Sequence, residues 1–426
     1  MPDLQLKLAI LAALGHAPGF SGLVSLPPPE SRGGRQLLAW LDRSGLALGV
    51  LRSLQINDAI PQISQAWRGA LGQRLEKNIV RTRDMVEEFE RLNVAFRKFG
   101  VKAVALKGFT LVPDFCAEPS LRHQVDFDFL VDSRDVSAAA EALRHCGYTA
   151  DRLSESGETC FVTPLQHIPS AADDLYVLHG QRQVDLHTSL WEPCPWLPVE
   201  TPQDCLEYTQ HRSISGVRYL SLSLEDKFLL QVLHTFRHSF RSWIRVSWVG
   251  EIAQCVEYHA EDDCLWNAVV SRSGDSRLTK CIFAFVLELA NRLFHTPIPA
   301  RLRSWTAESH TPSLRAWLDH FAVDWATSDW PGSLNNLFLT AEFIPDPSLR
   351  RQYWRSRLLP QKRHASIGSI AVSSPSTFLR LQAARVGYVA HRAGVHLKDI
   401  VALPRQQLRW KRALQLSRGP SFDSNS

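Results

Sequence analysis

The stretch VALKGFTLVPDFCAEPSLRHQVDFDFLVD, residues 104–132, sets two apolar runs on either side of a glycine- and proline-bearing connection. The first run begins slightly upstream as VKAVAL (101–106); it is β-branched and apolar and reads as a buried strand. Lys107-Gly108 ends it, and FTLVPDFCAEP reads as a short helix. In QVDFDFLVD (124–132), Val125, Phe127 and Phe129 fall on one face of a strand and Asp126, Asp128 and Leu130 on the other. Upstream, Leu75, Ile79, Val86, Phe89, Leu92, Phe96 and Phe99, with Thr82 filling the gap between Ile79 and Val86, recur every three or four residues, which predicts one long helix over 65–99 with Gly100 as its stop. Downstream, SRDVSAAAEALRHCG reads as a helix capped by Ser133 and ended by Gly147. A β-rich stretch follows through TCFVTPL, DLYVLHG and QVDLHTSLW, with Gly180 marking a hairpin turn between the last two. From about Ser221 to Phe343 the pattern is helical, opening with Ser223 and Asp226 at capping-box spacing. The fold class expected is α+β, with a core at roughly 70–200 and helices on both sides.

The chemistry lies in the carboxylates. Asp126 and Asp128 share a strand face among apolar neighbours. Two carboxylates held about 4 Å apart at an effective dielectric near 20 repel by about 4 kcal/mol. A fold that keeps both ionised needs a cation, and hard oxygen donors favour Mg²⁺ or Mn²⁺ over zinc. Asp185 repeats the pattern in QVDLHTSL. Three carboxylates on adjacent strands would complete a two-metal site of the kind that activates a nucleophile and neutralises a transferring phosphoryl group. Lys107 and Arg122 bracket the pair as cations for a polyphosphate, and Gly108 leaves backbone N–H groups free to approach phosphate. Neither G-x-x-x-x-G-K-[ST] nor G-x-G-x-x-G competes as a phosphate cradle.

The order of these pieces resembles the bacterial uncharacterised nucleotidyltransferase family, within the DNA polymerase β-like superfamily. The matching motifs are Leu106-Lys107-Gly108, Arg122 through Val131, and Val184-Asp185-Leu186-His187. A weaker likeness continues in SLEDKFLLQVLHTFRH and RVSWVGEI, where Glu251 stands at a position the family tends to fill with Asp. A Lys-Gly turn replaces the superfamily's Gly-Ser. The resemblance implies a minimal nucleotidyltransferase mixed sheet flanked by helices, with a mostly helical C-terminal region. It implies that Asp126, Asp128 and Asp185 bind Mg²⁺ (or Mn²⁺), while Lys107, Gly108 and Arg122 handle the triphosphate of an NTP co-substrate. A nucleoside monophosphate would then pass to an unknown hydroxyl acceptor, with pyrophosphate released. The alternative is a catalytically inactive module that holds nucleotide or a partner. The organisation expected is an N-terminal helical region (1–64), the nucleotidyltransferase-like core (65–220), a helical domain (221–345), a basic extension (346–417) and a disordered tail (418–426).

Composition narrows the remaining choices. The chain has 426 residues, more than one ordinary core, and its 13 Trp and 20 Phe exclude intrinsic disorder. No run of about 18 apolar residues exists, so no membrane span is expected. Asp3 and the lack of a basic opening argue against a signal peptide, and eight scattered cysteines without a C-x-x-C pair read as free thiols in the cytoplasm. Residues 350–426 hold 15 Lys and Arg against two acids, which leaves 33 basic and 41 acidic residues in 1–349. That basic extension is a candidate nucleic-acid surface, an intramolecular clamp on the acidic body, or a solvated helical face. His234 and His238 read as a structural or substrate-facing pair, because Thr235 stands where a zinc motif needs Glu. Trp191, Trp196, Trp243, Trp248 and Trp354 read as core anchors more readily than as base-stacking platforms.

Overall fold

A computed structural model describes residues 2–15, 26–153, 159–164, 175–177, 182–191, 194, 196–240, 245–328, 337–358 and 375–417. Its centre is a mixed seven-stranded sheet: β1 (Val104–Ala105), β2 (Asp126–Leu130), β3 (Thr149–Leu153), β4 (Thr159–Val162), β5 (Gln183–His187), β6 (Thr209–Ile214) and β7 (Val217–Leu222). The spatial order is β3-β4-β5-β2-β1-β7-β6. The β2–β5 and β1–β7 pairs are parallel and the others antiparallel, so the α+β expectation holds. Helices α1 (Pro2–Leu14), α2 (Arg32–Ser44), α3 (Ala47–Ile56) and α4 (Gln65–Lys98) precede the sheet, and α5 (Val136–His145) follows β2. After β7 come α6 (Leu224–Phe240), α7 (Val246–Tyr258), α8 (Asp263–Ser273) and α9 (Arg277–Phe294).

The alternation in β2 does what its period predicts. Phe127 and Phe129 enter a core with the second half of α4 and with α5, while Leu130 turns to a second cluster with Val104, Leu106, Leu222 and Leu230. Phe89 of α4 anchors the first core, its ring 5.4 Å from Phe109, 5.9 Å from Phe127, 5.8 Å from Phe129 and 5.2 Å from Tyr219. Truncating a buried aromatic costs about 3–5 kcal/mol. Phe89→Ala is therefore expected to lower the unfolding free energy by about that amount in a urea titration; a change below about 1 kcal/mol would mean the rings do not support one another.

The long helix forms as its spacing predicts: Ser64 caps Trp67 N–H, and Gly100 turns the chain at φ +70°. Its buried face departs from the prediction in the middle. Ile79 is 48% exposed, while the polar Asn78 and Arg81 are buried. The cause is a change of neighbour. Trp67 and Leu71 belong to the helical core, Met85 through Phe96 to the sheet core, and between them α4 meets the chain entering β2. Asn78 Nδ2 donates to Ser120 O (2.6 Å), and Arg81 donates twice to Gln124 O (2.6 and 3.1 Å).

Other local expectations shift. β1 shortens to two residues because Val101 N–H is spent on Phe96 O, closing α4. FTLVPDFCAEP yields no α-helix, only 3-10 turns at its two ends, Gly108–Leu111 and Pro119–Leu121. Asp132 rather than Ser133 caps the next turn, accepting from Arg134 N–H, and α5 starts at Val136. The antiparallel neighbour of β5 is β4, and Leu175–Val177 form turns rather than a strand; Gly180 lies outside the described residues. Asp226 pairs with Arg272 at 2.7 Å instead of closing a capping box, and Ser223 Oγ is buried without a hydrogen-bond partner. The β6–β7 hairpin, absent from the sequence reading, turns through Ser215-Gly216, both at positive φ.

The N-terminal helices α1–α3 and the helices after β7 share one hydrophobic core, which includes Trp40, Leu54, Phe236, Phe285 and Trp317. Of the tryptophans singled out, Trp191 and Trp248 are buried, Trp196 and Trp354 pack partly buried against that core, and Trp243 lies outside the described residues. All eight cysteines are free thiols. The helix Pro375–Ser417 packs its end onto the helical region: Trp410 stacks on Phe338 (5.3 Å), Arg409 pairs with Asp324, and Ala413 is buried. Among the described residues no helix is long and apolar enough to cross a membrane. Residues 418–426 lie outside the described residues.

Candidate active site

Parallel pairing of β2 with β5 sets Asp128 directly beside Asp185, in strands about 4.8 Å apart. Both belong to the face opposite Phe127 and Val184, and Asp126 joins them two residues before Asp128. The three carboxylates therefore share one sheet face, as their strand patterns imply. Asp128 and Asp185 are each 7% exposed, whereas Asp126 is half-buried at the end of its strand.

Their surroundings differ in kind. Asp128 Oδ1 receives Lys107 Nζ at 2.7 Å and His187 Nε2 at 3.0 Å. Burial alone pushes this carboxyl up, but Lys107 and His187 outweigh it and hold the pKa well below the usual range. Among the described residues Asp185 is held by Gln183 Nε2, at 2.9 and 3.0 Å, a neutral donor two residues back on the same face. Burial, then the charges of Asp128 and Asp126, push its pKa up to about 6. No described residue donates a hydrogen bond to the Asp126 carboxylate, and burial and Asp128 raise its pKa against the pull of Lys107, Arg122 and Arg245. One carboxylate is thus fully compensated and two are not.

Gly108 turns the chain at φ +67° directly after Lys107, and a side chain there would overlap the Gln124 amide. Gln124 in turn donates to Asp126 O at 2.9 Å, which steadies the entry to β2. Arg122 meets Glu251 of α7 at 2.9 Å, and Gln231 of α6 holds the other oxygen of Glu251 at 2.5 Å. Arg245, at the start of α7, donates to His123 O at 2.8 Å. His234 and His238 flank Trp248, each ring centroid 4.6 Å from it, and the Lys107 and Asp128 charges reach His234.

A family model described as uncharacterised nucleotidyltransferase matches residues 31–295. The chain belongs to that family. No curated protein and no solved structure matches it. The match runs from the start of α2 to just past α9, so the nucleotidyltransferase region takes in the sheet, the carboxylate face and the helices that supply Glu251 and Trp248. The basic extension lies beyond it.

In this member of the family the six residues read from sequence cluster around the start of β2, with Asp185 beside Asp128. The structure adds Gln183, Gln124, Arg81, Arg245 and, most firmly, Glu251 as the partner of Arg122. Gln183 carried a legible signal, since it precedes Asp185 by two on an alternating strand. Glu251 sits 129 residues from Arg122, and no local pattern joins them.

The donor set suits a hard divalent cation. All three carboxylates offer oxygen, and positive charge between them would relieve the repulsion that raises Asp126 and Asp185. Among the described residues no three His, Cys, Asp or Glu side chains stand ready-arranged to hold a metal. Lys107 is the cation that faces Asp128 in this arrangement.

Proposed function

We propose that this nucleotidyltransferase moves a nucleoside monophosphate from an NTP to a hydroxyl-bearing acceptor in a reaction that depends on Mg²⁺ or Mn²⁺. The convergence of Asp126, Asp128 and Asp185 on one buried sheet face supports the reading, because charge of that density in so little water calls for divalent counter-charge. Asp126 and Asp128 would hold the metal ions, with Asp185 sharing the one nearer the acceptor. Bound there, the ions supply Lewis-acid charge on the triphosphate and on the attacking oxygen.

The chain's own residues do the rest. Lys107, no longer needed to neutralise Asp128, turns its ammonium to the phosphates, and the Gly108 turn lets backbone N–H groups come close. Arg122, clamped by Glu251, holds a fixed positive field over the Asp126 end of the site. Asp185, with its pKa pushed up to about 6, suits the role of accepting the hydroxyl proton near neutral pH. The hydroxyl oxygen attacks the α-phosphorus, the bond from that phosphorus to the β-phosphate bridging oxygen breaks, and pyrophosphate leaves with the electron pair. His187 keeps Asp128 aligned from the opposite side.

Incubation of the protein with each α-³²P-labelled NTP, a divalent salt and a cell extract tests this. Label is expected on a compound other than the nucleotide, with stoichiometric pyrophosphate, and EDTA is expected to abolish both. NTP binding with no label and no pyrophosphate would identify a binding module instead.

A further inference from the structure

Beside the carboxylates lies a cleft of about 780 Å³, walled by α1, α3, α7 and the chain from Phe115 to His123. Its volume falls in the range that encloses small ligands. Arg122 and Arg245 form part of its wall, and both interact with Asp126, so the cleft and the carboxylates share a boundary. Arg122 stands four residues before Asp126, at most about 13 Å of extended chain. Trp248 is common to both sides as well, since it lines the cleft and packs against His234 and His238.

The chemistry of the wall is lopsided. Arg52, Arg122 and Arg245 supply three cations, against Glu251, already bonded to Arg122, and Glu257, bonded to Thr296 Oγ1 at 2.9 Å. His123 adds no charge near neutrality, because burial and the neighbouring arginines push its pKa down to about 3. The Arg52 side chain is 39% exposed, but its Nε is buried with no hydrogen-bond partner, and its carboxylate neighbour among the described residues, Glu118, is 3.9 Å away. A buried guanidinium nitrogen left without an acceptor is costly, and an anion is what would satisfy it. Much of the remaining wall, including Leu14, Ile56 and Phe294, is apolar, and Gly49 keeps the α3 side open.

We infer that this cleft takes the acceptor, and that the acceptor is a small molecule with an anionic group at Arg52, an apolar part and its hydroxyl directed to the Asp126 end. The inference rests on the nucleotidyl-transfer reading and adds the acceptor's class to it. A carboxylate and a phosphate ester would satisfy Arg52 alike. A cleft of this volume matches a whole small molecule, not a folded RNA or protein domain.

Two variants separate the cleft from the nucleotide site. Arg52→Met removes the anion partner. Gly49→Phe fills the cleft, and its first added carbon meets Leu14 at an ordinary 3.5 Å, so the helix can carry it. The full-length protein is given α-³²P-labelled NTP and extract separated at about 3 kDa into low-mass and macromolecular fractions, and NTP affinity is measured by calorimetry. The expected result is label on a low-mass product with more negative charge than its transferred nucleoside monophosphate supplies, cut at least tenfold in both variants, with NTP affinity unchanged. Phosphatase treatment distinguishes the two: it lowers the anion-exchange retention of the labelled product where the acceptor carries a phosphate monoester and leaves it unchanged where it carries a carboxylate. Label on RNA or protein, variants that weaken NTP binding instead, or variants with undiminished labelling would each overturn the cleft assignment while transfer itself stands. Absence of NTP binding and pyrophosphate release in the unmodified protein would remove the underlying reading and the inference with it.

Discussion

Asp128→Asn is expected to lower nucleotidyl transfer by about a thousandfold or more, the scale of losing a group that stabilises transition-state charge. Asn keeps the shape and one acceptor oxygen but loses the charge that Lys107 and His187 surround. Lys107 is left in a site only 16% exposed at its side chain, so a stability cost accompanies the lost activity. Removing one partner of a buried ion pair costs about 3–5 kcal/mol, and the partial exposure of Lys107 places the expectation at the low end. Asn is the better probe than Ala because it leaves no cavity beneath the ammonium. Single-turnover assays with circular dichroism on the same sample check both quantities. A folded Asp128→Asn protein with near-normal transfer would show that this carboxylate does not carry the chemistry.

Asp185→Asn should separate activity from stability in the opposite sense. Transfer is again expected to fall by about a thousandfold. In EDTA at pH 7.5, however, the variant should be more stable than the original chain. Its carboxyl has a folded-state pKa of about 6, raised above the unfolded value by burial and by Asp128 and Asp126. Between the unfolded value near 4 and this higher one, the unfolded chain has already lost the proton that the folded chain still holds. Stability therefore declines as pH rises through that window, and the loss is complete above it. Each unit is worth about 1.4 kcal/mol, so the neutral amide should regain about 1–3 kcal/mol at pH 7.5 and almost nothing at pH 4. The Gln183 amide can still donate to the Asn oxygen. Thermal unfolding at the two pH values, with EDTA and then with excess Mg²⁺, reads this directly. Mg²⁺ should stabilise the original chain and leave the variant nearly unmoved. A variant less stable than the original at pH 7.5 in EDTA would mean the carboxylates are not crowded.

Much of the site was readable because its signals are local. The two-residue period of VDFDFL places Asp126 and Asp128 together opposite Phe127 and Phe129, and covalent geometry enforces that in any strand. Lys107 was legible only as a cation at a strand end. Its ion pair with Asp128 depends on antiparallel register, in which Leu106 N–H meets Asp128 O across β1 and β2. The β6–β7 hairpin also had a local signal, Ser215-Gly216 between alternating runs, which is the short turn that right-twisted strands favour. Ile79 marks where periodicity misleads: the apolar stripe of α4 is continuous in sequence, but its neighbours change from helices to loop to sheet along its length.

By itself, the order of residues determined that β2 would carry two carboxylates on one face, that a long helix would precede it, and that the chain would match a nucleotidyltransferase pattern. Those outcomes follow from side-chain periods and turn chemistry within a few residues. Only the tertiary structure decided that Asp185 stands beside Asp128, that Glu251 holds Arg122, and that the N-terminal helices wall a cleft against α7. Each depends on bringing together residues tens to hundreds apart in sequence, where burial of whole faces, and not any local preference, selects the partner.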